Sequence, residues 1–391
     1  MPETDVRNAA LTHPRVDTHA HLHTDLPSLE SRAVAPEALD ALETPYNARS
    51  LAAGCEALYG VPVGPVLRID APEEIFERAA ALRALGREKT LARAFEVARI
   101  ETQLCFCDWR GSDAAAKRAI APHVRLLAYI DQAVLGTPEP GESYLAGLER
   151  LHGPLASLDA LLEIVDRTVD AWPAMGVVGM KVGLAYHGHG LALRAASPSE
   201  AEAAFARGHE MSTGDAAVVR DFSLFRAFDA CLRNDLAVVI HTGCLARPTA
   251  NIMDTNPAHL QGAMQDERWR DLIFVLLHGG YPYIGETAFL AAKLPNVVLD
   301  FTWISWMTTA RFRLALAEWL AQVPLTRFVW GSDSGPLPES IVGIDRLSRR
   351  FIAGVLEDAV DDGMMDTARA LRWVELAYRE NARRVFRLAG R

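Results

Sequence analysis

Five cysteines in 391 residues, an odd number at irregular spacing, do not make a disulfide framework. Cys105 and Cys107 stand two apart with no second pair to complete a zinc knuckle, so buried thiols are expected. No run of 18 apolar residues occurs, which argues against a membrane-spanning helix. Basic blocks are missing too: 40 Lys and Arg against 50 Asp and Glu leave a net charge of −10, a poor match to nucleic acid or an anionic membrane. The opening MPETDVRNAALTHP has neither the basic start nor the apolar stretch of a secretory signal, so a cytoplasmic location is expected. Half of the residues are apolar, enough for a sizeable core. We expect a homo-oligomer that acts on a small-molecule substrate.

What the chain does have is the stretch Arg15-Val-Asp-Thr-His-Ala-His21. Val16, Thr18 and Ala20 alternate with Asp17, His19 and His21, the period of a strand. His19 and His21 therefore share a face, and two neutral imidazoles converging at a strand end are the commonest protein ligands for zinc and its neighbours. After His23 the pattern turns helical, with Pro and Gly punctuation, to about residue 95. Lacking a self-sufficient core, residues 24–95 read as a helical insertion after the first strand.

Short apolar runs then recur at 98–107, 124–130, 176–182, 236–241, 272–278, 296–301 and 327–332, separated by stretches of helical period. Near-continuous β-branched runs alternating with helices indicate a parallel sheet buried on both faces. With the first strand there are eight strand–helix units. They predict an α/β fold, a (β/α)8 TIM barrel forming one domain over 1–391, with an open doubly wound sheet as the alternative.

Barrel enzymes place their chemistry at the C-terminal ends of the strands. Here those ends carry His19 and His21, then Lys181, His241, His278, and Asp333 in Trp330-Gly-Ser-Asp333. Each alone has an ordinary structural explanation: a rim histidine, a snorkelling lysine, a Gly-Ser turn. Six at one end of five strands point to a metal site.

This ordered set resembles the amidohydrolase superfamily of metal-dependent barrel enzymes, in its amidohydrolase-2 branch. Supporting pieces are Gly179-Met-Lys181 with Ala185-Tyr186, Val239-Ile-His-Thr-Gly243, Phe274 to Tyr283, Leu294 to Asp300, and Asn381 with Phe386 near the end. Within the branch the chain is most similar to the amidohydrolase-like half of nodulin-type glutamine synthetase fusions. The resemblance implies His19, His21, His241 and Asp333 as ligands of one divalent ion, zinc first and manganese or iron as alternatives. His278 would be a further ligand or an acid–base group. Lys181 would be carbamylated and bridge two ions, or stay charged and pair with a substrate carboxylate; the branch favours one ion and an ordinary lysine.

The activity implied is hydrolysis of an amide, lactone or ester, with Asp333, His278 and Lys181 catalytic. Metal-dependent decarboxylation, the isomerisation of uronate-isomerase relatives and a non-catalytic binding barrel are the alternatives. Substrate contacts are expected from Lys181, Tyr186, His187, Arg247 and Trp303. His187 stands where the family pattern would have arginine, in a Gly-rich loop that also carries His189. Trp303 and Trp306 suit an aromatic pocket wall, or simply the core or a subunit interface.

Overall fold

The structure is a computed structural model, and it describes residues 2–22, 26–33, 44–120, 123–136, 139, 141–187, 190–245, 251–307 and 309–388. Its strands are β1 (Arg15–Ala20), β2 (Ile100–Cys107), β3 (Val124–Tyr129), β4 (Val177–Val182), β5 (Ala237–Ile240), β6 (Phe274–Leu276), β7 (Val297–Asp300) and β8 (Phe328–Val329). They form one eight-stranded sheet in the order of the chain. The pairs resolved, such as β1 with β2 and β4 with β5, are parallel. Past β8, Ser334 bridges in parallel to Ala20, and the Thr18 amide donates to the Trp330 carbonyl at 3.0 Å. The fold is the expected (β/α)8 barrel rather than an open sheet.

The expected strand positions hold, but the strands are shorter. The run at 272–278 pairs only over Phe274–Leu276, because His278 and Gly279 turn to φ 64° and 57°. The run at 327–332 is cut to Phe328–Val329, and Asp333 lies beyond it at φ 54°. Apolar content predicts pairing, whereas the chain leaves the sheet where it must aim a side chain.

By contact density the chain forms two compact units. One comprises 1–105, 116–125 and 300–384, the other 106–115, 126–299 and 385–391.

In the first unit, helices Thr44–Tyr59, Glu73–Ala84 and Arg87–Ala98 lie between β1 and β2. Leu51, Cys55, Leu67, Ile75 and Ala79 pack with Leu337, so this stretch shares its core with the start of helix Pro338–Asp361. Two glycines set that crossing. A Cβ on Gly54 would sit 1.8 Å from the Glu339 carbonyl oxygen, and one on Gly343 only 1.7 Å from that of Ser50. Glu339 is fully buried, where Tyr59 Oη donates to it and Arg83 binds both its oxygens at 2.8 and 3.0 Å. At the start of β1, the buried Arg15 lies between the rings of Tyr378 and Trp330, at 3.7 and 4.4 Å. It donates to Asp345, which also accepts from Arg349.

In the second unit, helix Thr213–Arg233 opens with a capping box of Ser212 and Asp215 and packs on helix Leu158–Ala171. Phe228 meets both Trp269 and Phe274 edge-on. Four of the cysteines, Cys55, Cys105, Cys107 and Cys231, are buried thiols, as expected. Among the described residues no helix is long and apolar enough to cross a membrane.

The glycine crossing gives a direct test. Gly343→Ala should destabilise the protein by about 1–3 kcal/mol, read as a lower urea midpoint, because backbone must move to admit the methyl. Gly262→Ala, with no heavy atom within 4 Å of the added carbon, should leave the midpoint nearly unchanged.

Candidate metal centre

All six residues of β1 are buried, which fixes its pleat and carries His19 to the strand end with its side chain inside. His21 follows on the same face but is half-exposed, at 40%. The Nε2 atoms of His19 and His21 lie 3.1 and 3.0 Å from the same oxygen, Oδ1 of Asp333. Their rings are 5.6 Å apart and inclined at 66°. Asp333 reaches this position through its left-handed backbone, with its amide donating to the His19 carbonyl at 2.7 Å. Gly331 makes the approach possible, since a Cβ there would stand 2.3 Å from Thr302 Oγ1 and 2.7 Å from His19 Cβ.

Burial alone would raise the Asp333 carboxyl. The charge of His19 and hydrogen bonds from both imidazoles outweigh it and hold the group well below the usual carboxylate range. Two imidazole nitrogens and an ionised carboxylate, with no thiolate among them, are the donor set of a borderline divalent cation. The residues present fit such an ion.

Beneath them lies a group that the sequence reading left without a role. Asp17, fully buried, accepts from the amides of Ser332 (2.8 Å) and His19 (3.2 Å), from Ser332 Oγ (2.6 Å) and from Gln103 Nε2 (2.9 Å). Burial pushes its carboxyl up to about 6 against the pull of those donors. It ties β1 and β2 to the turn that presents Asp333. Asp300, at the end of β7, similarly accepts from Thr18 Oγ1 at 2.7 Å and from the Thr302 amide at 2.8 Å. Asp17 was legible in outline, because the strand period that pairs His19 with His21 includes it.

The second unit carries the other predicted residues. Lys181, at the end of β4, is buried, with Nζ 5.1 Å from the Phe106 ring centre. His241 follows β5 and is buried, its Nδ1 3.0 Å from His278 Nε2 and its Nε2 2.8 Å from the Cys244 carbonyl oxygen. The carbonyl can only accept, so His241 carries its proton on Nε2 and His278 donates to Nδ1. Tyr186 lies against His241, ring centres 4.4 Å apart. His187 is exposed. Both oxygens of the buried Asp131, another residue the sequence reading did not single out, lie 2.9 Å from the Gly183 amide. Its carboxyl is raised by burial, which exceeds the opposing charges of His187 and Lys181.

Trp303 lies in the first unit, partly buried and at φ 66°, a backbone conformation that a bulky residue rarely takes. With Trp306, Tyr46, Ser340 and Asp333 it lines a pocket of about 140 Å³. The indole nitrogen of Trp306 donates to the Ser332 carbonyl, so that residue is wall and core at once. Arg247, His189 and His23 lie outside the described residues.

The profile of the amidohydrolase family matches residues 146–388, more than half of the chain. The chain belongs to that family. This amidohydrolase is also 27% identical over 303 residues to the protein fluG of Emericella nidulans, with 72% of the chain aligned. It spans about a third of that relative's length, 33%. Among solved structures, a uronate isomerase of Thermotoga maritima superposes with a TM-score of 0.73 at 14% identity, covering 98% of this chain and 97% of the other. A glucuronate isomerase of Caulobacter crescentus gives 0.71 at 18%, covering 100% and 94%. A Lactobacillus casei protein provisionally assigned as a metal-dependent hydrolase gives 0.74 at 16%, covering 98% and 97%. At these identities the likeness is one of fold. The amidohydrolase is thus an enzyme of a metal-dependent family, with a His/Asp cluster suited to a cation.

Asp17 should matter to that cluster without touching an ion. Asp17→Ala should weaken metal affinity roughly 10–100-fold in competition with a chromophoric chelator, since it frees the turn carrying Asp333. Circular dichroism should retain the helical signal.

Proposed function

We propose that this amidohydrolase holds one divalent ion, zinc first among the candidates, through His19, His21, His241 and Asp333, and hydrolyses an amide, lactone or ester in a small carboxylate-bearing substrate. The observation that carries the reading is the convergence of two imidazole nitrogens on one ionised oxygen of Asp333. When bound, the ion would supply Lewis acidity, bringing water toward ionisation and polarising the substrate carbonyl.

The rest falls to the chain's own groups. Asp333, kept anionic, accepts the proton of the attacking water and returns it to the leaving group. Once His241 gives its Nδ1 lone pair to the ion, the Nε2–H of His278 that it held is released and donates toward the developing oxyanion. Lys181 offers a point charge to the substrate carboxylate. The aromatic-walled pocket beside Asp333 suits a flat portion of the substrate, with Trp303 as its platform. Tyr186, His187 and Arg247 complete the substrate contacts in this reading.

Purified enzyme should carry near-stoichiometric metal that is lost from His19→Ala/His21→Ala while the fold is kept. Turnover in heavy-oxygen water then names the chemistry: hydrolysis places the label in the product acid. Release of carbon dioxide from an unlabelled product would replace hydrolysis with decarboxylation, and a metal-loaded enzyme inert on a broad panel would replace it with a binding role. His278→Ala should lower kcat by roughly 10²–10⁴-fold with metal content unchanged.

A further inference from the structure

At the other end of β1 from the histidines, the first unit contains a cavity of about 540 Å³ whose charged lining is Arg7, Arg99, Asp345, Arg346, Arg349 and Arg350. We propose that it is a binding site for a small polyanion, one bearing phosphate or several carboxylates. The proposal stands independently of the metal reading.

In a chain of net charge −10 this cluster runs the opposite way. Asp345, the one acid in the lining, is already shared between Arg15 Nη1 at 3.0 Å and Arg349 Nε at 2.7 Å. Arg7 pairs with Glu357 at 2.8 Å and Arg346 more loosely with Glu56 at 3.7 Å. Among the described residues Arg99 and Arg350 have no acidic partner, so the cavity keeps a surplus of guanidinium charge. Arginine always stays protonated, so the surplus persists at any physiological pH.

The arrangement is built rather than incidental. Arg349 is buried and held by the carbonyls of His13, Ala98 and Ala10 at 2.8, 3.0 and 3.3 Å, which fixes its fork. Arg346 and Arg350 stand one turn apart on helix Pro338–Asp361, a like-charged spacing that costs a few tenths of a kcal/mol in an isolated helix. Arg99 adopts φ 56° at the end of helix Arg87–Ala98, where glycine or asparagine is usual. Its Nη1 donates to the Thr12 carbonyl at 3.0 Å. Planar guanidiniums from separate helices match the forked oxygens of phosphate and carboxylate. The volume falls within the range of small-molecule sites. Arg15 and His19 are four residues apart along β1, roughly 13 Å, so a ligand here would be distinct from one at the histidines.

Calorimetric titration of the metal-loaded enzyme at fixed ionic strength tests this, with inorganic pyrophosphate and tricarballylate as the phosphate and carboxylate probes. At least one should bind saturably at one site per chain, and should bind at least tenfold more weakly to Arg346→Glu/Arg350→Glu. The neutral pair Arg346→Gln/Arg350→Gln, a milder change should charge reversal impair folding, should show a smaller loss in the same direction. His19→Ala/His21→Ala should bind the probe as the parent does. Absence of saturable binding by either probe, affinity untouched by the arginine variants, or binding lost with the histidines instead would overturn the proposal.

Discussion

A single buried carboxylate holds the candidate centre of the first unit together. Asp17 collects four hydrogen bonds, from β1 itself, from Gln103 on β2 and from Ser332 just past β8. A carboxylate without those donors could not stay ionised so deep in the fold, and the donors without it would be stranded. Each therefore requires the other. The consequence is geometric: the chain leaving β8 is pinned against β1, and Asp333 is delivered to the two imidazoles. Gly331 admits the approach and Asp333 pays for it with a left-handed backbone.

That pattern of strain recurs at other candidate site residues. His278, Asp333 and Trp303 are all non-glycine residues at positive φ, and each follows a strand of the sheet. Such conformations persist only where surrounding contacts over-determine them. The Trp303 carbonyl accepts from the amides of Trp306 and Met307, at 3.0 and 2.8 Å, which locks the turn that aims its indole at the pocket. A ring held this way loses little freedom on meeting a flat ligand.

Much of this could be read from residue order, and the reasons it could not all be read are specific. His19 and His21 declare themselves because a two-residue period places them on one face. The positions of the strands follow from their β-branched runs. The ends of β6 and β8 do not, since Leu277 and Trp330 are as apolar as their paired neighbours and the departure depends on the backbone at His278 and Asp333. Arg15 and Glu339 give no local signal at all. A charged residue in sequence suggests the surface, and only the fold sets Arg15 between Tyr378 and Trp330 or brings Arg83 to Glu339. Asp131 is hidden for the same reason, because its partner amide belongs to Gly183 beyond the next strand.

Asp131 also bears on the state of Lys181. Its carboxyl is raised by burial, and the charges of His187 and Lys181 work to keep it ionised. A carbamate on Lys181 would exchange that favourable cation for a second anion beside a buried carboxylate. In a medium of low effective dielectric, like charges at close range are costly unless cations compensate both. Two bound ions could do so, while a single ion would have to offset Asp333, Asp131 and the carbamate together. The positive charge of an unmodified Lys181 works against the burial that raises Asp131, whereas a carbamate would work with it. That argument favours one ion and an unmodified lysine, with the positive charge kept for a substrate carboxylate.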